Sequence, residues 1–125
     1  MKLLDTSVAI DYLRGAAPAT HLLEELIGTG ETIAATEVVR FELLAGVRPH
    51  ERDILESFFA VLAWAPVDEA VVRTAAGLAR RYREAYRGID DVDYLIAGTA
   101  LVLEAELLTT NVRHFPMFAD LASPY

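Results

Sequence analysis

Short apolar runs of three or four residues alternate along this chain with longer stretches in which apolar residues recur every three or four positions. The first pattern marks buried strands and the second amphipathic helices. Lys2-Leu3-Leu4-Asp5 reads as a strand ending at an acid. Thr6 or Ser7 then offers a hydroxyl cap for a helix that carries Val8, Ile10 and Leu13 and stops at Gly15. A second helix runs from Pro18 to Ile27, ended by Gly28 and Gly30. Thr32–Ala35 suits a second strand, and Thr36 caps a helix from Glu37 to Ala45, closed by Gly46. Pro49 opens a further helix with Ile54, Leu55, Phe58, Phe59 and Leu62 on its buried face. Trp64–Val67 is a third strand, placed at an edge or strand end by Pro66. Asp68 caps a long helix to about Tyr86, with Gly88 as its terminator. Asp90 or Asp91 caps the next helix, which runs through Leu103. Leu107–Thr109 is a last strand, followed by a polar turn at Asn111 and an irregular tail with a short strand before Pro124.

Strands alternating with helices predict a parallel sheet covered on both faces, a three-layer α/β/α fold. The sheet should have about four or five strands, the usual size. A chain of 125 residues holds one such domain, 1–125. Ligands in these folds bind beyond the carboxyl ends of the strands, where Asp5 and Asn111 both fall.

Composition narrows the chemistry. There is no cysteine, so disulfides, thiolate metal sites and cysteine nucleophiles are excluded. The single lysine, Lys2, excludes the phosphate-binding loop that needs a lysine between glycines and Ser or Thr. His21, His50 and His114 are scattered and read as surface or core-edge side chains, so a metal here must be held by oxygen. The largely apolar run Tyr94 to Leu103 is half of the roughly 20 residues that span a membrane. Asp5 and Asp11 interrupt any apolar leader, so the expectation is a cytoplasmic protein with no membrane segment. The formal charge is −8, which argues against a simple nucleic-acid coat protein.

Three acids stand apart from the solvated ones. Asp5 directly follows Leu3-Leu4. Glu42 has Val38, Val39, Ala45 and Gly46 as its helix-surface neighbours, unless it pairs with Arg40 at a boundary. Asp93 shares the inward side of its helix with Ile96 and Ala97, although an acid in a first turn also suits the helix dipole. Three carboxylates gathered at one sheet edge without a base cannot all stay ionised. A hard cation such as Mg²⁺ or Mn²⁺ resolves this.

Four segments, in this order, resemble the PIN-domain ribonucleases of the VapC toxin type: Leu3-Leu4-Asp5-Thr6-Ser7, Phe41-Glu42-Leu43-Leu44-Ala45-Gly46, Asp93-Tyr94-Leu95-Ile96-Ala97-Gly98, and Leu108-Thr109-Thr110-Asn111-Val112-Arg113-His114-Phe115. The resemblance implies a Mg²⁺-dependent endoribonuclease, with Mn²⁺ as a substitute, that hydrolyses phosphodiester bonds in RNA. Asp5, Glu42 and Asp93 become the metal-binding acids. Asn111 takes a fourth catalytic position where many relatives carry aspartate, and Thr6 and Thr109 orient carboxylates or waters. The same resemblance implies a homodimer and a small antitoxin that docks on apolar grooves and blocks the acids. Glu104 stands where a helix-ending glycine is common, which predicts a different terminus. Gly98 replaces an alanine, with no chemical consequence expected.

Arg73, Arg80, Arg83 and Arg87 form one stripe of the long helix, with Arg81 beside it. The stripe is either a solvated face or a phosphate- or antitoxin-binding edge. Two alternative functions remain at this point. One is an aspartate-based phosphatase or phosphoacceptor built on Asp5, against which stand the missing late lysine and Ser7 in place of a second aspartate. The other is a non-catalytic binding module.

Overall fold

A computed structural model describes residues 1–125. Four strands, β1 (Lys2–Leu4), β2 (Ile33–Thr36), β3 (Ala63–Ala65) and β4 (Glu106–Leu108), form one parallel sheet in the order β3-β2-β1-β4. The registers set Leu3 beside Ala34 and Leu107, and Ala35 beside Trp64. Six helices connect them: α1 (Thr6–Leu13), α2 (Ala17–Gly28), α3 (Glu37–Gly46), α4 (Arg52–Ala60), α5 (Glu69–Tyr82) and α6 (Asp91–Leu103). Successive strand residues point to opposite faces. All four residues of β2, and both Leu3 and Leu4 of β1, are buried. Both faces are therefore covered, which makes the expected three layers, and the strand count is the lower of the two expected. β3 lies at an edge and ends at Ala65, directly before Pro66.

Thr36 caps α3 as expected, its hydroxyl accepting from the Val38 N–H at 2.9 Å. Asp68 does the same for α5 through the Val71 N–H. At α1 the expectation fails: the helix begins at Thr6, and Asp5 holds the capping position with no side-chain capping bond. The Asp5 carboxylate is turned to other donors, described below. α5 also stops earlier than the arginine stripe requires. Arg83 to Gly88 bury nothing, and a helix without a packed face has little to hold it together. The tail forms no strand. It returns instead across α1, where the Tyr125 hydroxyl donates to Asp11 at 2.6 Å.

α6 passes through the middle of the molecule, burying Tyr94, Ile96, Ala97, Thr99 and Ala100. Its close approach to α5 depends on Gly98. A Cβ there would lie 3.0 Å from both the Val71 carbonyl oxygen and the Ala75 nitrogen. The glycine has a packing role, set by the passage of α5, beyond the lack of chemical consequence expected of it. The α6 terminus is equally informative. Glu104 adopts the left-handed conformation usually given to glycine, at φ 53° and ψ 39°. The Ala105 N–H reaches the Ala100 carbonyl and the Glu104 N–H the Leu101 carbonyl, the paired bonds of a glycine-type helix end. The terminus keeps its form and carries strain in place of glycine.

Candidate active site

Parallel pairing brings the carboxyl ends of β1 and β4 side by side, and Asp5 and Thr109 follow those strands directly. Asp5 is only 4% exposed. Its Oδ2 accepts from the Thr109 hydroxyl at 2.7 Å and the Ser7 hydroxyl at 3.0 Å. Thr109 Oγ1 in turn accepts from the Asn111 N–H at 2.9 Å, while Ser7 Oγ accepts from the Thr110 N–H at 3.1 Å. The Asn111 side chain is exposed beside this network.

Glu42 joins from α3. Thr6, the residue after Asp5, donates its hydroxyl to Glu42 Oε1 at 2.6 Å. Arg40 is no partner for Glu42: it pairs with Glu37 at 2.6 Å and lies over the Trp64 ring, 3.7 Å from its centre. Asp93 sits in the first turn of α6, buried. It forms a reciprocal cap with Asp90, whose Oδ1 accepts from the Asp93 N–H while Asp93 Oδ2 accepts from the Asp90 N–H. His114 Nδ1 lies 3.1 Å from the same Oδ2. Burial out of water, with the Asp90 carboxylate nearby, pushes the Asp93 carboxyl up to about 6; the Asp90 backbone bond and His114 oppose the shift.

One arrangement recurs in all three acids. Each commits one oxygen to fixed donors and leaves the other, Oδ1 of Asp5, Oε2 of Glu42 and Oδ1 of Asp93, with no protein hydrogen bond. As the side chains stand, no three acids or imidazoles converge tightly enough to enclose an ion by themselves. The close mutual crowding of the three acids expected from the sequence is thus absent. The donor set still fits Mg²⁺ or Mn²⁺. Mg²⁺ is held through one or two carboxylates and keeps several of its waters, and free carboxylate oxygens on anchored side chains suit that mode.

Sequence reasoning passed over Ser7 as a binding residue and placed His114 among the surface or core-edge side chains. The signal for Ser7 was its place two residues after Asp5, where its hydroxyl reaches back. Nothing in the linear sequence ties His114 to Asp93. The arginine stripe is broken up. Arg73 pairs with Glu69 and Arg83 with Asp91, each at 2.9 Å. Arg80, Arg81 and Arg87 have no acid partner, and Arg83 and Arg87 lie beyond the end of α5.

A family model for the PIN domain matches residues 2–121. This chain belongs to the PIN domain family. Among curated relatives of this PIN domain, Ribonuclease VapC19 of Mycobacterium tuberculosis is 62% identical over 125 residues, the whole of both chains. Ribonuclease VapC10 of the same organism is 38% identical, covering 100% of this chain and 93% of the relative. Solved structures with the same fold include VapBC2 from Rickettsia felis bound to a promoter DNA fragment, with TM-score 0.84, 22% identity and coverage of 98% and 96%. FitAcB from Neisseria gonorrhoeae superposes with TM-score 0.80, 24% identity and coverage of 98% and 96%. The PIN domain also has no helix long and apolar enough to cross a membrane.

Proposed function

We propose that this PIN domain is a divalent-metal-dependent endoribonuclease that acts as the toxin of a toxin–antitoxin pair. The observation that carries the reading is the set of three anchored acids, each with one oxygen left open. The full-length likeness to proteins named ribonucleases supports it. Asp5 and Asp93, with Glu42, would hold Mg²⁺ or Mn²⁺, which supplies charge neutralisation at the phosphate and a bound water of lowered pKa. The chain's own part is to fix geometry. Thr109 and Ser7 set the Asp5 carboxylate, Thr6 sets Glu42, and Asp90 with His114 sets Asp93. Asn111, at the mouth of the network, offers its amide to a water or a phosphate oxygen. A phosphatase built on Asp5 is disfavoured because Ser7, bonded to that carboxylate, stands where the second aspartate belongs.

The same reading includes an antitoxin and a second copy of the chain as partners, in the cytoplasm. Solved neighbours described as toxin–antitoxin complexes support the antitoxin. Exposed Phe41, Leu44, Leu101 and Val102 are apolar surface on which such partners can dock. The decisive assay is cleavage of single-stranded RNA by purified protein with Mg²⁺ or Mn²⁺ and with EDTA. Wild type should cleave only with metal, and Asp5→Asn should lose at least two orders of magnitude while remaining folded. Full activity in Asp5→Asn, or in EDTA, refutes the assignment.

A further inference from the structure

Two basic segments meet at the first turn of α6, where Asp93 stands. The first is the end of α5 with the turns after it, Arg80-Arg81-Tyr82-Arg83-Glu84-Ala85-Tyr86-Arg87. Four of the chain's ten arginines fall in these eight residues, against one acid, Glu84. All four are exposed. The Tyr86 N–H bonds the Tyr82 carbonyl at 2.9 Å, the two rings lie 5.9 Å apart between centres, and Tyr86 is 46% exposed. Gly88, at φ 95°, then turns the chain towards α6. Arg83 ties this segment to the residues on either side of Asp93. Its guanidinium pairs with Asp91 at 2.9 Å and lies 5.8 Å from the centre of the Tyr94 ring. The second segment is the helical turn Val112–His114. His114 lies 3.1 Å from Asp93 Oδ2, and Arg113 beside it is exposed with no acid partner.

Resting on the ribonuclease reading, we infer that these two segments are the surface that holds a single RNA strand against the acids, with Arg80, Arg81, Arg87 and Arg113 on its phosphates and Tyr86 under one of its bases. Three observations carry this. A chain of net charge −8 repels RNA over most of its surface, so a strand needs positive charge gathered at the point of cleavage. Here four arginines without acid partners flank the turn of α6 that carries Asp93. The acids of that turn are already engaged: Asp91 accepts from Arg83, and Asp90 from the Asp93 N–H at 2.9 Å. Finally, arginines interleaved with exposed aromatic rings are what a sequence-tolerant single-strand surface requires, because cations follow the backbone while rings stack on bases. An acidic protein segment would satisfy the arginines but would leave the Tyr86 ring without a planar partner. Arg83, committed to Asp91, braces the segment and is not itself free for a phosphate.

The test uses the full chain and a fluorescein-labelled single-stranded oligoribonucleotide pool of random sequence. Binding is read by anisotropy in EDTA, and cleavage separately with Mg²⁺ or Mn²⁺. The variants are Arg80→Gln with Arg81→Gln and Arg87→Gln, then Arg113→Gln alone, Tyr86→Leu, Tyr86→Phe, and Arg52→Gln as a charge control outside both segments. All these side chains are exposed, so each variant should melt within a few degrees of wild type. The triple variant should raise Kd at least about tenfold and make the slope of log Kd against log salt shallower by roughly 0.7 for each phosphate released, about 2 in all. Arg113→Gln should make it shallower by about 0.7. Tyr86→Leu should weaken binding about fivefold or more, the loss of one stacked base, and Tyr86→Phe should keep it. In cleavage, KM should rise in step with Kd while kcat changes little. If the wild type cleaves RNA and the triple, Arg113 and Tyr86→Leu variants keep its Kd, salt slope and KM, the surface is overturned, the nuclease reading stands and the arginines belong to a protein partner. If Arg52→Gln weakens binding as much as Arg113→Gln, the effect is one of net charge and the surface is likewise overturned. If the wild type neither binds nor cleaves RNA, both readings fall together.

Discussion

Thr109, wholly buried at the end of β4, donates its hydroxyl to Asp5 Oδ2 at 2.7 Å across 104 positions of sequence. A hydrogen bond to a buried charge is worth about 1.5–3 kcal/mol. Thr109→Val keeps the shape and removes the donor. It should destabilise the protein by about that amount and lower metal-dependent RNA cleavage by about 10- to 100-fold, the usual effect of losing a group that orients a ligand. Thr109→Ser should restore most of both. Urea melts and cleavage rates check this, and a valine variant as active as wild type would disprove the orienting role.

The Asp93 carboxyl gives the metal-free protein a pH signature. Folded, it holds its proton up to about pH 6; its ordinary value is 3.8. Between those limits the folded state binds more protons than the unfolded state, so stability falls as pH rises through the window. Asp93→Asn, uncharged throughout, should flatten that slope. Denaturant melts in EDTA from pH 4 to pH 7 measure it. An identical slope in the variant would assign the dependence to other groups.

Gly98→Ala sets helix propensity against packing. Alanine gains about 1 kcal/mol over glycine within a helix. The new methyl meets α5 backbone atoms 3.0 Å away, and overpacking of that kind costs about 1–3 kcal/mol. Because the obstructing atoms are backbone, packing wins, and the melting temperature should drop. A stabilised alanine variant would show that α5 and α6 separate freely.

Glu104→Gly should act in the opposite direction. A non-glycine residue in the left-handed conformation carries roughly 1–2 kcal/mol of strain, and Glu104 makes no side-chain hydrogen bond or ion pair to offset it. Some of that gain is lost to the greater freedom of glycine when unfolded. A net stabilisation of about 0.5–1 kcal/mol is expected by thermal melt, with cleavage activity unaltered.

Much of the fold was legible because it is written in local patterns. The apolar runs of β1 and β2, the Thr36 and Asp68 caps and the end of β3 before Pro66 all depend on neighbours in sequence. Asp5, Glu42 and Asp93 stood out as acids among apolar residues, and the structure buries Asp5 and Asp93 and half-buries Glu42. What escaped depends on the third dimension. The end of α5 coincides with the loss of any buried residue from Arg83 to Gly88. Gly98 matters only because α5 passes there. Ser7 and His114 acquire meaning from Thr110 and Asp93, which folding brings to them. The donors that each acid accepts from, Thr6, Thr109 and the Asp90 backbone among them, likewise carry no label in the sequence.

The order of the sheet has a consequence for how the protein is born. Of the four strands, β1 leaves the ribosome first and β4 last, yet β1 lies between β2 and β4. Until residues 106–109 are synthesised and dock beside β1, Asp5 lacks its Thr109 donor and α6 has no strand beyond it to return to. A nascent chain therefore carries its acids in an unassembled state through the synthesis of everything from β1 to α6. The hydrogen-bonded setting of Asp5 is therefore complete only once β4 has docked, when most of the chain has already been made.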